Sequence, residues 1–242
     1  MSTPVLVTEL LPGTLTEADV STADGRAWLE NIYAPAAGNR VRLNMITNLT
    51  GSAVGSDGTS ETLTSQVDRS ILGIIRAAAD VVVVGASTVR AEGYLAPRSA
   101  ALAIVTATGR LDGHRLDGEG GRTGRILLVC PEARASAVAA ERDAQRIDAE
   151  IVPVSGGDDL DPRAILDALS AHDLDRAVCE GGPTLASRFV EAGVIDELCV
   201  TVTPVVGPAP SPFIRVNESP QTSVAGMLVD EAGFSYLRLR RP

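Results

Sequence analysis

The sequence predicts an α/β protein with a three-layer α/β/α arrangement, in which helices cover both faces of a mixed, mostly parallel sheet. Four consecutive valines, Val81–Val84, lie between Asp80 and Gly85, as expected of a strand buried on both faces of a parallel sheet. Between residues 100 and 194, apolar segments of strand length alternate with alanine-rich segments of helix length. Beyond this region three apolar segments follow without a helix, which predicts a C-terminal antiparallel hairpin.

Individual elements are predicted from hydrophobic patterning and turn residues. Residues 1–39 lack a strong period, so we expect an N-terminal extension with a short helix near Arg26–Ile32, followed by a main domain at residues 40–242. Predicted strands lie near residues 41–49, 81–84, 102–106, 126–130, 150–154, 176–180, 195–203, 221–229 and 233–240. Predicted helices lie near residues 66–79, 134–148, 162–171 and 184–192. The long loop of residues 50–64 is a candidate flap over a bound ligand, and the glycine-rich segment 109–124 is predicted to be a second loop.

Composition excludes several classes of protein. The net charge of −10 argues against a nucleic-acid or anionic-membrane surface. All 21 basic residues are arginine, so Schiff-base chemistry, pyridoxal phosphate attachment and a P-loop lysine are excluded. The histidines His114 and His172 are expected to be solvated, and no metal site is predicted. The three widely spaced cysteines are expected to be reduced core residues, and no targeting or membrane-spanning segment is evident, so we expect a cytoplasmic protein.

Two junctions between a strand and a helix suit phosphate binding. At residues 178–185 a predicted strand ends in Gly181 and Gly182 and passes into a helix that begins near Pro183. A second junction follows the four valines at Gly85. The first turn of a helix presents unpaired N–H groups and the positive end of the helix dipole, and glycine lets an anion approach the backbone. We therefore expect a nucleotide cofactor. The alternatives are that the glycines serve close strand–helix packing and that the hydroxyls after Gly85 serve as helix caps.

Three segments resemble a known family. Residues 76–94, 179–185 and 193–198 are similar, in the same order, to the pyrimidine reductase family, the C-terminal reductase domain of the bifunctional riboflavin-biosynthesis deaminase/reductase. The similarity spans about residues 40–240. It implies a dihydrofolate-reductase-like fold, NADPH as hydride donor, a homodimer, and as substrate a ribosylamino-pyrimidine phosphate whose opened sugar is reduced to a ribityl chain.

The resemblance and the two junctions together give a set of candidate site residues. The candidate cofactor-binding residues are Gly85, Ser87, Thr88, Thr106, Gly181, Gly182, Thr184 and Leu185. The candidate substrate-binding residues are Asn44, Asn48, Arg90, Tyr94 and Glu180.

The sequence departs from the family pattern at the end of the first core strand. The family has Ser-Leu-Asp-Gly there, whereas this chain has Asn48-Leu49-Thr50-Gly51. A threonine hydroxyl is not an acid near neutral pH, so Thr50 cannot replace the expected carboxylate as a proton donor. Asp57 and Glu180 are the remaining carboxyl candidates. The candidate catalytic positions are Asn44, Thr50 and Glu180. Of the carboxyl groups we favour Glu180, with Asn44 positioning the substrate; the alternative is that Glu180 orders its loop by accepting backbone N–H groups.

Three functions are compatible with these observations. The first is NADPH-dependent reduction of the riboflavin-pathway pyrimidine by direct hydride transfer. The second is reduction of dihydrofolate or another pterin, because the fold and the cofactor are shared. The third is binding of NADPH without turnover, which the threonine at position 50 favours.

Overall fold

The structure is a computed structural model that describes residues 4–116, 124–157 and 159–241. The described residues form eleven strands and six α-helices. The strands are β1 (Leu6–Leu11), β2 (Glu17–Asp19), β3 (Val41–Asn48), β4 (Val81–Gly85), β5 (Ala101–Val105), β6 (Ile126–Pro131), β7 (Glu150–Val154), β8 (Ala177–Gly181), β9 (Glu197–Thr203), β10 (Ser223–Asp230) and β11 (Ser235–Arg240). The helices are α1 (Ala23–Ile32), α2 (Gln66–Ala77), α3 (Ala86–Glu92), α4 (Ala135–Ala144), α5 (Pro162–Ser170) and α6 (Pro183–Glu191).

All of these strands belong to one sheet, in the order β2-β1-β10-β11-β9-β3-β8-β4-β5-β6-β7. From β9 to β7 every neighbouring pair is parallel. In the remaining part of the sheet, β2-β1-β10-β11-β9, every neighbouring pair is antiparallel, and β10 and β11 form a hairpin. The predicted mixed, mostly parallel sheet with a C-terminal antiparallel hairpin is therefore confirmed.

Helices cover both faces of the sheet because side chains alternate along each buried strand. Val82 and Val84 belong to one apolar core, which includes residues of α1, α2, α3 and α4. Val81 and Val83 belong to a second core, which includes residues of α5 and α6. All four valines are fully buried, as expected of a central parallel strand.

The N-terminal residues add two strands that the sequence analysis does not predict. β1 pairs with β10, and β2 pairs with β1 at the edge of the sheet. Within β1 only Val7 is fully buried, so the strand lacks the alternating pattern by which strands are recognised. The predicted helix is present as α1, capped by Thr22. The domain boundary at residue 40 stays a prediction, and part of the loop of residues 109–124 lies outside the described residues.

The parallel strands bring several predicted residues to one edge of the sheet. β3, β8, β4 and β5 are neighbours and run in the same direction, so their carboxyl ends lie side by side. The loop of residues 49–65 leaves the end of β3, and α6 and α3 begin at the ends of β8 and β4. This edge is where open α/β sheets bind their ligands.

Candidate functional site

The two glycine junctions lie in direct contact. The N–H group of Gly182, at the start of α6, donates a hydrogen bond to the Thr88 hydroxyl in α3, with a distance of 2.6 Å. Gly85 is close to the same place, because a Cβ atom built on it would lie 3.9 Å from the Gly181 carbonyl oxygen. The two junctions therefore form one continuous surface at the carboxyl edge of the sheet.

Both glycines of the β8 junction are required by the local geometry. Gly181 has φ +84°, and a Cβ atom on it would lie 2.8 Å from the sulfur of Met45 in β3. A Cβ atom on Gly182 would lie 2.7 Å from the Thr88 hydroxyl. Close packing thus explains both glycines, and it brings the start of α6 against α3. The packing alternative is compatible with a cofactor at this edge.

The first turns of α3 and α6 are not capped by side chains. In α1, α2 and α5 the N-cap side chain accepts a backbone hydrogen bond. The N-cap residues of α3 and α6 are Gly85 and Gly182, which have no side chain to do so. α4 also lacks a side-chain cap, but it continues from a short 3₁₀ helix. Uncapped first-turn N–H groups at this edge are suited to an anionic group.

A cavity of about 610 Å³ opens beside the two junctions. It is bordered by β3, the loop after β3, α2, α3 and the β8–α6 junction. Six of the residues singled out from the sequence line it, namely Asn44, Ser87, Thr88, Tyr94, Glu180 and Gly182. The predicted flap contributes Ala53, Val54, Gly58, Ser60, Glu61 and Thr64 to the lining. It is fastened to α3, because the N–H group and hydroxyl of Ser60 donate to Glu92.

Glu180 is held at the edge of this cavity by an arginine and a tyrosine. Arg76 of α2 donates from Nε to Oε1 at 2.8 Å and from Nη2 to Oε2 at 2.6 Å. The Tyr94 hydroxyl also donates to Oε2, and Arg76 donates to the Tyr94 oxygen at 2.6 Å. The Arg76 guanidinium lies over the Tyr94 ring, 5.2 Å from its centroid. Among the described residues, the partners of the Glu180 carboxylate are therefore side chains and not loop amides.

The charges in this cluster stabilise one another. Burial opposes the charge on Arg76, but the hydrogen bonds and negative charge of Glu180 outweigh it and raise the pKa of the guanidinium. Burial, reinforced by the charge of Glu180, raises the pKa of Tyr94 well above its usual value. Tyr94 is consequently a neutral hydrogen-bond donor near neutral pH. The Glu180 carboxyl group forms an ion pair with Arg76. A carboxylate so paired is better suited to accept hydrogen bonds than to release a proton.

Asp68 is another carboxylate in the cavity lining, and it is not among the residues predicted from the sequence. It lies in the first turn of α2, where its N–H group donates to the N-cap residue Ser65 at 3.1 Å. The Ser-x-x-Asp spacing from Ser65 to Asp68 is visible in the sequence. That spacing predicts only a helix N-terminus, so it could not distinguish a site residue from a capping residue.

Several predicted site residues do not line this cavity. Asn48 is buried at the end of β3, where its side-chain oxygen accepts from the N–H groups of Thr50 and Ser52. The Thr50 hydroxyl is bonded to Asn48 and to the Gly207 carbonyl oxygen. Both side chains therefore stabilise the turn that begins the flap. Asp57 lies within the flap, and hydrogen bonds from Thr59 lower the pKa of its carboxyl group.

The remaining candidates lie around the same edge. The Thr106 hydroxyl, just after β5, accepts from the Gly109 N–H group at 2.9 Å and is 5% exposed. Arg90 is exposed on α3 and donates to the Arg110 carbonyl oxygen at 2.7 Å. Thr184 and Leu185 lie in the first turn of α6, where backbone N–H groups lack intrahelical partners. Leu185 packs in the apolar core and the Thr184 side chain is exposed. The roles of all four residues toward a ligand stay predictions.

The described ranges lack two features of other protein classes, a metal-binding cluster of side chains and a membrane-spanning helix. Within residues 4–116, 124–157 and 159–241, no three His, Cys, Asp or Glu side chains are grouped so as to hold a metal ion. No helix in these ranges has the length and apolar character needed to cross a membrane.

Comparison with known proteins identifies relatives in riboflavin biosynthesis. The family model of the RibD C-terminal domain matches residues 39–223. The riboflavin biosynthesis protein RibD of Mycobacterium tuberculosis is 29% identical over 170 residues, which cover 66% of this chain and 40% of that protein. The chain thus spans less than half the length of this curated relative.

Solved structures share the fold. A pyrimidine reductase-like protein from Corynebacterium diphtheriae has a TM-score of 0.73 and 22% identity, over 88% of this chain and 98% of that one. The riboflavin biosynthesis reductase of Saccharomyces cerevisiae has a TM-score of 0.68 and 15% identity, over 90% and 99% of the two chains. Since the family model covers well over half of the sequence, the predicted resemblance is confirmed, and the chain belongs to the RibD C-terminal domain family.

Proposed function

We propose that the chain is an NADPH-dependent reductase of the riboflavin-pathway pyrimidine 5-amino-6-(5-phosphoribosylamino)uracil. The observation that carries the proposal is the meeting of two uncapped helix N-termini with a cavity, lined by Asn44 and Glu180, at the carboxyl edge of the sheet. Membership in the RibD C-terminal domain family supports the reductase class. A solved relative from Thermotoga maritima bears the name of this deaminase/reductase activity.

The residues at the two junctions fit a dinucleotide. Ser87 and Thr88 present hydroxyls to the cavity, and the backbone of Gly182 lies against them. The first-turn amides of α3 and α6 would hold the pyrophosphate bridge, because uncapped helix N-termini favour anions. NADPH would supply the hydride, and the protein would contribute binding and orientation.

Asn44 and Glu180 are the residues that we assign to the substrate. Both line the cavity, one from β3 and one from the neighbouring strand β8. Arg76 and Tyr94 fix the Glu180 carboxylate, so its orientation is set before a ligand arrives. We assign to Glu180 the role of accepting hydrogen bonds from the substrate. The flap of residues 50–64 would exclude water when the site is filled.

The proposed function is tested by following the absorbance of NADPH in the presence of the pyrimidine or of dihydrofolate. We expect oxidation with the pyrimidine. Oxidation of NADPH with dihydrofolate but not with the pyrimidine would indicate that the chain reduces a pterin instead. Tight NADPH binding with no oxidation by either compound would favour a protein that binds without turnover.

Placement of the cofactor is tested by Ser87→Asp, with Ser87→Ala as the matched control. An aspartate in the first turn favours the helix, so the substitution should not harm folding. It places a negative charge where we expect the pyrophosphate, and we expect NADPH affinity to fall about tenfold or more. Titration by fluorescence measures both variants. Equal affinity of Ser87→Asp and Ser87→Ala would contradict this placement.

A valine at position 181 is a less direct test of the same placement. The sequence alone predicts that Gly181→Val weakens NADPH binding. In the structure the new side chain would also collide with Met45, because the added Cβ atom would lie 2.8 Å from the Met45 sulfur. Loss of binding by this variant is informative only if its thermal unfolding matches that of the unmodified chain.

We also propose that the protein is a homodimer, as the family resemblance implies, and that it is cytoplasmic, as its cysteine usage indicates. Light scattering coupled to size-exclusion chromatography measures the mass directly, and a mass close to the monomer value of 25.1 kDa would contradict the dimer.

A further inference from the structure

Asp68 is fixed in the cavity wall by two hydroxyl groups. Thr64 donates to its Oδ2 atom and Thr201 donates to its Oδ1 atom, each at 2.6 Å. Thr64 belongs to the flap, whereas Thr201 belongs to β9, so the carboxylate is held from two sides. A carboxylate offers about four acceptor positions, and these two bonds use one on each oxygen. Asp68 therefore keeps the capacity to accept further hydrogen bonds.

The arginines of the cavity are engaged with other carboxylates. Arg76 is paired with Glu180, and Arg69 is paired with Glu61 at the exposed rim. Within the described part of the chain, no ion pair to Asp68 is formed. The charge of Arg69 lowers the pKa of Asp68, but the two side chains form no ion pair. A carboxylate in this position repels a phosphate or carboxylate and attracts groups that donate hydrogen bonds.

Nitrogen heterocycles with amino substituents match this requirement. Their ring N–H and amino groups are donors that can point at a carboxylate in one plane. We propose that Asp68 is a specificity-determining residue that accepts hydrogen bonds from the amino-bearing edge of the substrate's pyrimidine ring. The inference rests on the proposed function and names the chemical group that selects the substrate. It also places a carboxylate of α2 in the cavity of a chain that has Thr50, in the turn after β3, where the family resemblance implies an aspartate.

The surroundings of Asp68 predict how binding depends on pH. Burial raises the pKa of the Asp68 carboxyl group, although the hydrogen bonds from Thr201 and Thr64 act in the opposite direction. The charged or titratable groups that face it are Arg69 on its own helix, Glu180 on β8, and Tyr33 and Tyr236, whose pKa values are influenced by Asp68 in turn. The accepting, ionised form is present above the pKa of Asp68. Affinity for a neutral amino-pyrimidine should therefore fall as the pH falls through that pKa.

The test uses 5,6-diaminouracil, the pyrimidine head of the substrate without its sugar, in the absence of NADPH. Calorimetric titration compares the unmodified chain with Asp68→Asn, which keeps the shape of the side chain and removes its charge. We expect Asp68→Asn to bind the probe at least about tenfold more weakly. The matched control is Asp167→Asn, an exposed aspartate of α5 on the opposite face of the sheet, which should bind like the unmodified chain.

A second measurement follows how the affinity depends on pH, and its main result comes from the unmodified chain. The affinity of the unmodified chain for the probe is measured across the acid range, after titration of the free probe. We expect affinity to decline toward low pH, and to decline less in Asp68→Asn. The proposal is overturned by absence of probe binding, by equal affinity of Asp68→Asn, or by affinity that rises toward low pH.

These outcomes are separate from those of the reductase test. The probe carries no sugar to be reduced, and no cofactor is present, so binding through Asp68 can be observed in a chain that oxidises no NADPH. Conversely, the unmodified chain could be an active reductase while Asp68→Asn binds the probe normally. That result would support the proposed function and contradict the role proposed for Asp68.

Discussion

Two glutamates of the same sheet, Glu197 and Glu180, are both paired with arginine, but their surroundings differ. Glu197 of β9 is fully buried and lies against Arg42, Arg238 and Arg240 on the two adjacent strands. Arg238 lies at 2.8 Å and Arg240 at 3.1 Å from its Oε1 atom. Glu180 has a single arginine and borders the cavity.

The difference separates a structural cluster from a candidate binding cluster. Arg42 and Arg238 also donate to the carbonyl oxygens of Tyr33 and Ile32, so the Glu197 cluster connects the end of α1 to the sheet. Burial raises the pKa of Glu197, but the charges of Arg238 and Arg42 outweigh burial, and the net effect is a lowered pKa. The protein itself supplies the counter-charges of this cluster. The Glu180 cluster, by contrast, faces a space that a ligand can fill.

The largest effect that would test this comparison is expected from Glu197→Gln. The substitution leaves buried arginines without their counter-charge, and we expect the free energy of unfolding to fall by about 3–5 kcal/mol. Denaturant titration measures it. The matched control is Glu150→Gln, which breaks an exposed pair with Arg125 and should change the free energy by less than about 1 kcal/mol. Similar losses in the two variants would contradict a structural role for the buried cluster.

A smaller loss of stability and a larger loss of activity are expected from Arg76→Met. The variant leaves Glu180 with only Tyr94 as a partner, which should cost about 1–3 kcal/mol of unfolding free energy. Because the carboxylate would no longer be held, we expect kcat/KM to fall at least about tenfold. The control is Arg176→Met, which removes a surface pair with Asp80 at the other end of the strands. Unchanged kcat/KM in Arg76→Met would show that the cluster is only structural.

The smallest effect is expected from Tyr94→Phe. This variant removes one hydroxyl donor to Glu180 while the two Arg76 bonds remain. A single hydrogen bond contributes about 0.5–1.5 kcal/mol, so we expect a few-fold rise in KM and little change in thermal stability. Steady-state kinetics with the pyrimidine measure it. A loss as large as that of Arg76→Met would mean that the Tyr94 hydroxyl contacts the substrate or cofactor itself.

Local patterns in the sequence were sufficient for much of the fold. The four valines of β4 predict a central strand because burial on both faces requires a continuous apolar run. The first two strands, β1 and β2, could not be predicted, because at this side of the sheet they bury few side chains and so leave little pattern. Six predicted site residues line the cavity. Thr50 does not, because its hydroxyl is used by the turn that it begins.

The sequence by itself determined the family, the α/β class and the two glycine junctions, because hydrophobic period, glycine and helix-start signals act over a few residues. Only the tertiary structure decided which charges are paired. Arg76 and Glu180 are 104 positions apart, and Asp68 and Thr201 are 133 apart. No local pattern specifies such contacts, since they depend on which strands become neighbours in the folded sheet. The side chains that surround each carboxylate in the folded protein determine which carboxylate remains available to a ligand.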